Sequence, residues 1–317
     1  MVGDITLLIA GLLLLFFGAE ALVRGATAVS LRAGIPPLIV GLTVLAFCTS
    51  SPELVVGLKA ALNNNGGICL GNVIGSNIAN TGLILGIAAM ILPLGVNRQI
   101  VRREIPVMLG LTFLFVYFML GESIGRVEGA LLFVGLITYI IYSVITARKS
   151  GETATQEEVE SVAPNLGRHW SIDALLLIGG LGILLLGAEL MVTSAVNIAT
   201  TLGAPEVLIG LTMVAIGTSL PELATSIVAA VKKQCDLMVG NLIGSNIFNL
   251  GAILGSASLV RPIVNEGVTM VDIVILLIFS MALVPIMLSN YKISRLEGAL
   301  LVIGYLGYMA YIGVQLA

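Results

Sequence analysis

Two glutamates, Glu53 and Glu222, each stand inside an apolar stretch with the same company of hydroxyls and a proline. Residues 41–54 read GLTVLAFCTSSPEL, and residues 210–223 read GLTMVAIGTSLPEL. A second phrase follows each, GNVIGSNIANTGLILG at 71–86 and GNLIGSNIFNLGAILG at 240–255. Corresponding residues lie 169 apart throughout, without a gap. A carboxylate, hydroxyls and carboxamides are costly in hydrocarbon unless something binds them. Gathered in one place, such hard oxygen donors suit Na⁺ or Ca²⁺ rather than a transition metal.

The local chemistry supplies donors in two sets. Pro52 lacks an N–H and its ring clashes with the Cys48 carbonyl, so the helix is expected to break there and release carbonyls such as that of Ala46. Irregular backbone at membrane depth survives where it lines a cavity. Ser50 and Glu53, three residues apart, share a helix face, with Thr49 beside them. The second copy repeats the set as Ala215, Thr218, Ser219 and Glu222, ahead of and behind Pro221. In the second phrase Ser76 and Asn80 are spaced i, i+4, as are Ser245 and Asn249, while Gly71, Gly75 and Gly82 are expected to allow close helix packing. Two carboxylates carry the charge that one Ca²⁺ neutralises. Burying either one bare would cost a few kcal/mol, by comparison with ~2.5–3.5 for Asp at a helix centre. A single hydroxyl in a membrane helix ordinarily bonds back to its own carbonyls. A proline-broken glutamate site written twice asks for more.

The elements that must position these residues are membrane helices. Hydrophobic residues make up 58% and charged residues 10% of the chain, and mean hydropathy is +1.09. A soluble domain would carry about a quarter charged residues, so the composition is that of a polytopic membrane protein. Apolar runs lie near 4–24, 38–61, 69–92, 104–121, 127–147, 172–199, 206–231, 238–260, 270–289 and 296–316. Each approaches the ~20 residues a helix needs to cross a ~30 Å core. A net charge of −3 gives no reason to expect a nucleic-acid partner. Cys48, Cys69 and Cys235 have no metal-ligand spacing and read as small apolar side chains, and the one histidine, His169, lies outside the apolar runs. No cofactor and no obligatory protein partner is called for. The first run carries Asp4 instead of a basic leader, and its GAEALV at 18–23 is answered by GAELMV at 187–192, so it reads as part of the mature fold.

The repeat extends further. RVEGALL at 126–132 matches RLEGALL at 295–301, again 169 on. The expected fold is therefore all-α, ten transmembrane helices in two five-helix repeats over 1–147 and 172–317. The connector at 148–171 is polar, with Glu157, Glu158 and Glu160. Five spans per copy, an odd number, force the second copy to enter the membrane upside down. With the N-terminus outside, twelve of the fifteen Lys and Arg fall on the inner side, leaving Lys59, Arg126 and Arg261 outside. That agrees with the positive-inside rule, and places both termini on the extracellular or periplasmic side of the cell membrane and the connector in the cytoplasm.

At these residues the chain resembles the cation/calcium exchanger superfamily, and within it the prokaryotic sodium/calcium exchangers. The resemblance covers nearly the whole chain. It implies a non-enzymatic antiporter exchanging Na⁺ for Ca²⁺ by alternating access. Glu53 and Glu222 would be the central carboxylate ligands, with Ser50, Ser219, Ser76 and Ser245 adding hydroxyls, and Thr49 and Thr218 hydroxyl or backbone oxygen. Ala46 and Ala215 would add carbonyls, and Asn80 and Asn249 would occupy the matched polar positions of the later span. Two departures stand out. Cys48 replaces the usual glycine, kept in the second copy as Gly217. Asn249 stands where archaeal relatives often have an aspartate, which leaves H⁺ or K⁺ open beside Na⁺ as counter-ion. A passive cation channel is the competing class, although one chain here supplies both half-sites. An intramembrane protease would need a His or Lys beside Ser50 or Ser219, and neither has one nearby in sequence. Glu20 is expected to pair with Arg24 one turn on. Glu189 has Thr193 at that position, so a role in gating is open to it.

Overall fold

The computed structural model describes residues 2–150, 169–201, 217–265 and 267–315. The connector from 151 to 168 and Ala215 lie outside the described residues. The first half runs α1 (Val2–Ala33), α2 (Pro37–Val40), a π-helical segment (Gly41–Leu45), α3 (Ala46–Thr49), α4 (Ser51–Leu62) and α5 (Gly66–Ala79). It continues with a second π-helical segment (Asn80–Ile84), α6 (Leu85–Ile91), strand β1 (Leu94–Gly95), a third π-helical segment (Ile100–Glu104), α7 (Ile105–Met119), β2 (Ser123–Ile124) and α8 (Arg126–Ser150). The second half has α9 (Trp170–Thr201), α10 (Leu220–Val231), α11 (Cys235–Phe248), a π-helical segment (Asn249–Leu254) and α12 (Gly255–Val260). It ends with β3 (Ile263–Val264), α13 (Met270–Leu288), β4 (Lys292–Ile293) and α14 (Arg295–Gln315).

Among the described residues, seven helices are long and apolar enough to cross a membrane, eight if the bent pair Pro37–Thr49 and Ser51–Leu62 is one span. The chain is a multi-pass membrane protein. Ten runs were expected. The fourth appears as the 15-residue α7 entered through a π-helical segment bearing Arg102, Arg103 and Glu104. The seventh is described only from Gly217, as the short α10.

The spans form two layers of burial. Within an 18-residue apolar stretch of each span, all residues of Cys235–Val260 and 72% of those of Gly66–Ile91 are buried, whereas in Gly3–Ala33, Arg126–Ala147, Trp170–Ile198 and Arg295–Gln315 the share is 28% or less. The two helices carrying the GN-phrases are thus the core. The rest present apolar side chains such as Phe17, Leu131, Ile178 and Leu300 outward, as lipid contact requires. Helices α1 and α9 pack backbone to backbone. A Cβ added at Gly11, Gly18 or Gly25 would lie 2.9, 2.6 or 2.9 Å from an α9 main-chain atom, and Gly180 and Gly187 answer from the other side at 2.7 and 2.6 Å. Small residues substitute close contact for the hydrophobic drive that lipid removes.

The glycines of the second phrase divide. A Cβ added at Gly82 would meet the Phe279 ring at 2.7 Å, as close packing predicts. A Cβ added at Gly240 or Gly244 would likewise lie 2.5 or 2.6 Å from the carbonyl of Leu38 or Leu42. A Cβ added at Gly71 or Gly75 would meet no described atom of another segment within 4 Å, and residues 207 and 211, which match Leu38 and Leu42, are outside the described residues.

Among the described residues there are also two short antiparallel ladders that an all-helical reading lacks. In one, Leu94 pairs with Ile293; in the other, Ile124 pairs with Ile263. Each joins a strand of one half to a strand of the other. Leu94 and Ile263 are 169 apart, as are Ile124 and Ile293, so both ladders use the same two positions of the repeat. The sequence gives little sign of them, because two-residue strands have no room for alternation.

Candidate cation site

Glu53 owes its placement to the proline before it. Ser50, between α3 and α4, has φ −84° and ψ 7°, and the helices on either side diverge by 50°. The carbonyl that Pro52 leaves unserved is that of Cys48, and the Ser51 hydroxyl donates to it at 2.8 Å. The Ala46 carbonyl is not released as expected. It accepts the Ser50 N–H at 2.9 Å and, more weakly, the Thr49 hydroxyl at 3.5 Å. The second copy has the same turn: Ser219 has φ −89° and ψ 3°, with Pro221 in the first turn of α10. Thr225 donates to the carbonyls of Pro221 and Glu222 at 2.8 and 3.1 Å, steadying that turn.

The two copies meet across the centre. The Ser50 hydroxyl donates to Oε1 of Glu222 at 3.1 Å, not to Glu53 on its own helix. Glu53 in turn faces Thr218 and Ser219, with the Glu222 carboxylate nearby, and Thr49 lies beside Glu222. Each glutamate is thus framed by the hydroxyls of the opposite copy, and both are 1% exposed.

The carboxamides interlock in the same reciprocal manner. Asn80 Nδ2 donates to Oδ1 of Asn246 at 3.1 Å, and Asn249 Nδ2 donates to Oδ1 of Asn77 at 2.8 Å. These are one contact seen twice, since Asn77 and Asn246 are 169 apart. Asn246 also donates to Thr81 at 3.1 Å, and Asn77 to the Asn246 carbonyl at 3.4 Å. Asn72 donates to the Glu53 carbonyl at 3.0 Å, fixing α4 on α5. Its counterpart Asn241 accepts from Thr49 at 3.3 Å and donates to Thr225 at 3.4 Å. The π-helical segments begin at Asn80 and at Asn249, and they pack against α10 and α4 respectively, beside the two glutamates. Ser76 and Ser245 are buried on the same core helices one turn earlier.

These bonds leave a definite remainder. Among the described residues twelve buried side-chain oxygens have no hydrogen-bond partner, and eight belong to the repeated phrases. They are both carboxylate oxygens of Glu53, Oε2 of Glu222, the hydroxyls of Thr218, Ser219 and Ser245, and Oδ1 of Asn80 and Asn249. In each asparagine the amide nitrogen is spent on its neighbour and the oxygen is left over. Buried polar atoms are ordinarily paired, so a set of acceptors and hydroxyls without donors calls for a ligand that brings positive charge. Among the described residues no three of His, Cys, Asp and Glu cluster, so any ion held here rests on two carboxylates and neutral oxygens.

Spacing alone did not single out Asn72, Asn77, Asn241 or Asn246. Their signal lay in the sequence: each is a carboxamide inside a helix of apolar neighbours, and each recurs 169 residues on. Glu20 does pair with Arg24, and it also accepts Lys232 Nζ at 3.0 Å.

Comparison with known proteins agrees with this architecture. The sodium/calcium exchanger protein family matches residues 4–146 and 172–314. The putative antiporter CaxA of Alkalimonas amylolytica is 35% identical over 305 residues, covering 95% of each chain. The sodium/calcium exchanger MaX1 of Methanosarcina acetivorans is 29% identical, with 96% of each covered. A solved structure of the sodium-calcium exchanger NCX_Mj, soaked with 10 mM Na⁺ and zero Ca²⁺, superposes with a TM-score of 0.82 at 32% identity, over 97% of this chain and 98% of that one. With its duplicated glutamate phrases inside buried, helix-breaking turns, the chain belongs to the sodium/calcium exchanger protein family.

Proposed function

We propose that the protein exchanges Na⁺ for Ca²⁺ at one midplane site, reached alternately from the two sides of the membrane. The observation that carries this reading is the set of eight buried, unpartnered oxygens drawn from both repeated phrases. Glu53, Glu222, Ser50, Ser219, Thr49 and Thr218 form the centre, and Ser76, Ser245, Asn80 and Asn249 the flanks. The Ala46 carbonyl, by the lone pair that the Ser50 N–H does not use, and that of Ala215 would contribute oxygen. Two carboxylates match the charge of one Ca²⁺, and neutral oxygens give Na⁺ places to bind when Ca²⁺ leaves.

The site belongs to two five-helix repeats of opposite orientation, over 1–147 and 172–317, joined by a cytoplasmic connector at 148–171 with both termini outside. The ladder pairings support this arrangement, since each unites loops that such a topology puts on one side of the membrane. Opposed repeats allow the two halves to exchange conformations, which is what access from alternate sides requires.

Purified protein in Na⁺-loaded vesicles should take up Ca²⁺ when diluted into Na⁺-free medium, and should not when loaded with K⁺ at equal pH. Uptake driven by a proton gradient without Na⁺ would replace Na⁺ by H⁺ as counter-ion. Ca²⁺ flux that needs no counter-ion would make the protein a channel and refute exchange.

A further inference from the structure

Glu20 and Glu189 occupy equivalent places in α1 and α9, yet they have different surroundings. Glu20 is bound by Arg24 and Lys232. The residues that stand in those places for Glu189 are Thr193 and Asn63, neither of which carries charge. An uncompensated carboxylate at membrane depth is costly unless it faces water. Glu189 does face a space. It lines a cavity of about 250 Å³ together with Leu185, Val192, Pro52, Thr218 and Pro221. A water molecule takes up ~30 Å³ of liquid, so that volume can hold a cation with most of a hydration shell.

The cavity leads to the site. Thr218 lines it, has an unpartnered hydroxyl, and stands next to Glu53. Of the positions matching its wall in the first half, Ala19, Val23 and Thr49 are at 0% exposure, while Phe16, the match of Leu185, is 52% exposed. In the second half Val192 and Thr218 are partly exposed and Glu189 is exposed. Among the described residues, Glu189 is thus exposed at its cavity where Glu20 is half-buried and held by two cations.

We propose that Glu189 is a gateway carboxylate: it draws hydrated cations, divalent ones above all, into this cavity and passes them by way of Thr218 to Glu53 and Glu222. This rests on the exchanger reading above, in which the C-terminal half of α9 reaches the outer side. A unit charge about 6 Å from a cation through water favours its presence about tenfold for Ca²⁺ and about threefold for Na⁺ at low salt. Screening at physiological ionic strength shrinks both factors.

The test is transport by Glu189→Gln in vesicles of known orientation at low ionic strength. The half-saturating Ca²⁺ at the outer face should rise about tenfold and that for Na⁺ about threefold, by the attraction just given. The inner face and the maximal rate should not change, and Glu189→Asp should restore the wild-type values. Unchanged half-saturation, equal rises at both faces, or a fall in maximal rate alone overturns the gateway. Wild-type protein that carries no Ca²⁺ overturns the exchanger reading instead. In that event Glu189→Cys still decides the cavity: a membrane-impermeant cationic thiol reagent should modify it from outside, above the background of the native cysteines, and absence of modification overturns the proposal.

Discussion

Replacing Glu53 by glutamine should produce two effects of opposite sign. In the structure both Glu53 carboxylate oxygens lack a hydrogen-bond partner, and the hydroxyls beside them are those of Thr218 and Ser219. Without a cation, glutamine removes the cost of a bare charge, and its amide hydrogens can be accepted by those hydroxyls. Each such bond is worth about 1 kcal/mol, which corresponds to about 2–4 °C in Tm for a domain of 150–250 residues. With Ca²⁺ the balance reverses. Breaking a buried ion pair by removing one partner costs about 3–5 kcal/mol, equivalent to roughly 150- to 5,000-fold in affinity. Purified Glu53→Gln should therefore melt a few degrees above wild type in chelator and lose the stabilisation that Ca²⁺ gives the wild type. In Na⁺-loaded vesicles its Ca²⁺ uptake should fall to the background. A variant that melts below wild type in chelator, and is still stabilised by Ca²⁺ at wild-type concentrations, would show that Glu53 is a structural group and would falsify its assignment as a ligand.

Asn246→Ala should cost about 2–4 kcal/mol of stability, because it strands the Asn80 amide and the Thr81 hydroxyl; a shift in thermal unfolding corresponding to under half a kcal/mol would remove it from the scaffold. Gly18→Ala should destabilise by about 1–3 kcal/mol through overpacking, its Cβ meeting the Leu184 nitrogen at 2.6 Å, while Gly182→Ala, with nothing within 4 Å, should be neutral. Equal melting temperatures for the two variants would contradict the backbone-to-backbone packing of α1 on α9.

The glutamates were legible because charge inside a hydrophobic run is rare, and rarer still when repeated at one offset. The membrane character and the glycine at position 82 were legible for similar reasons of composition. What sequence could not convey was partnership. Ser50 and Glu53 sit on one helix face, yet Ser50 serves Glu222, because the distance across the centre is fixed by how the two cores cross and not by local spacing. The Ala46 carbonyl stays paired, against the expectation from Pro52, for a local reason. Pro52 removes the donor to Cys48, four residues back, and the chain unwinds only at Ser50, after Ala46 has been satisfied. The π-helical segments were likewise out of reach, since Asn80 and Asn249 begin them through an extra residue per turn that no apolar periodicity announces.

The two ladders bear on the order of synthesis. Among the described residues each strand pairs with a strand from the other half, and Asn77, Asn80, Asn246 and Asn249 donate to acceptors in the other half. A ribosome adding about 5–20 residues per second delivers the second half some 10–30 s after the first. Throughout that interval the first half sits in the bilayer with open strand edges and unspent carboxamides. It is a half-built interface waiting for its mate, and a natural client for whatever shields polar groups in the membrane until translation is complete.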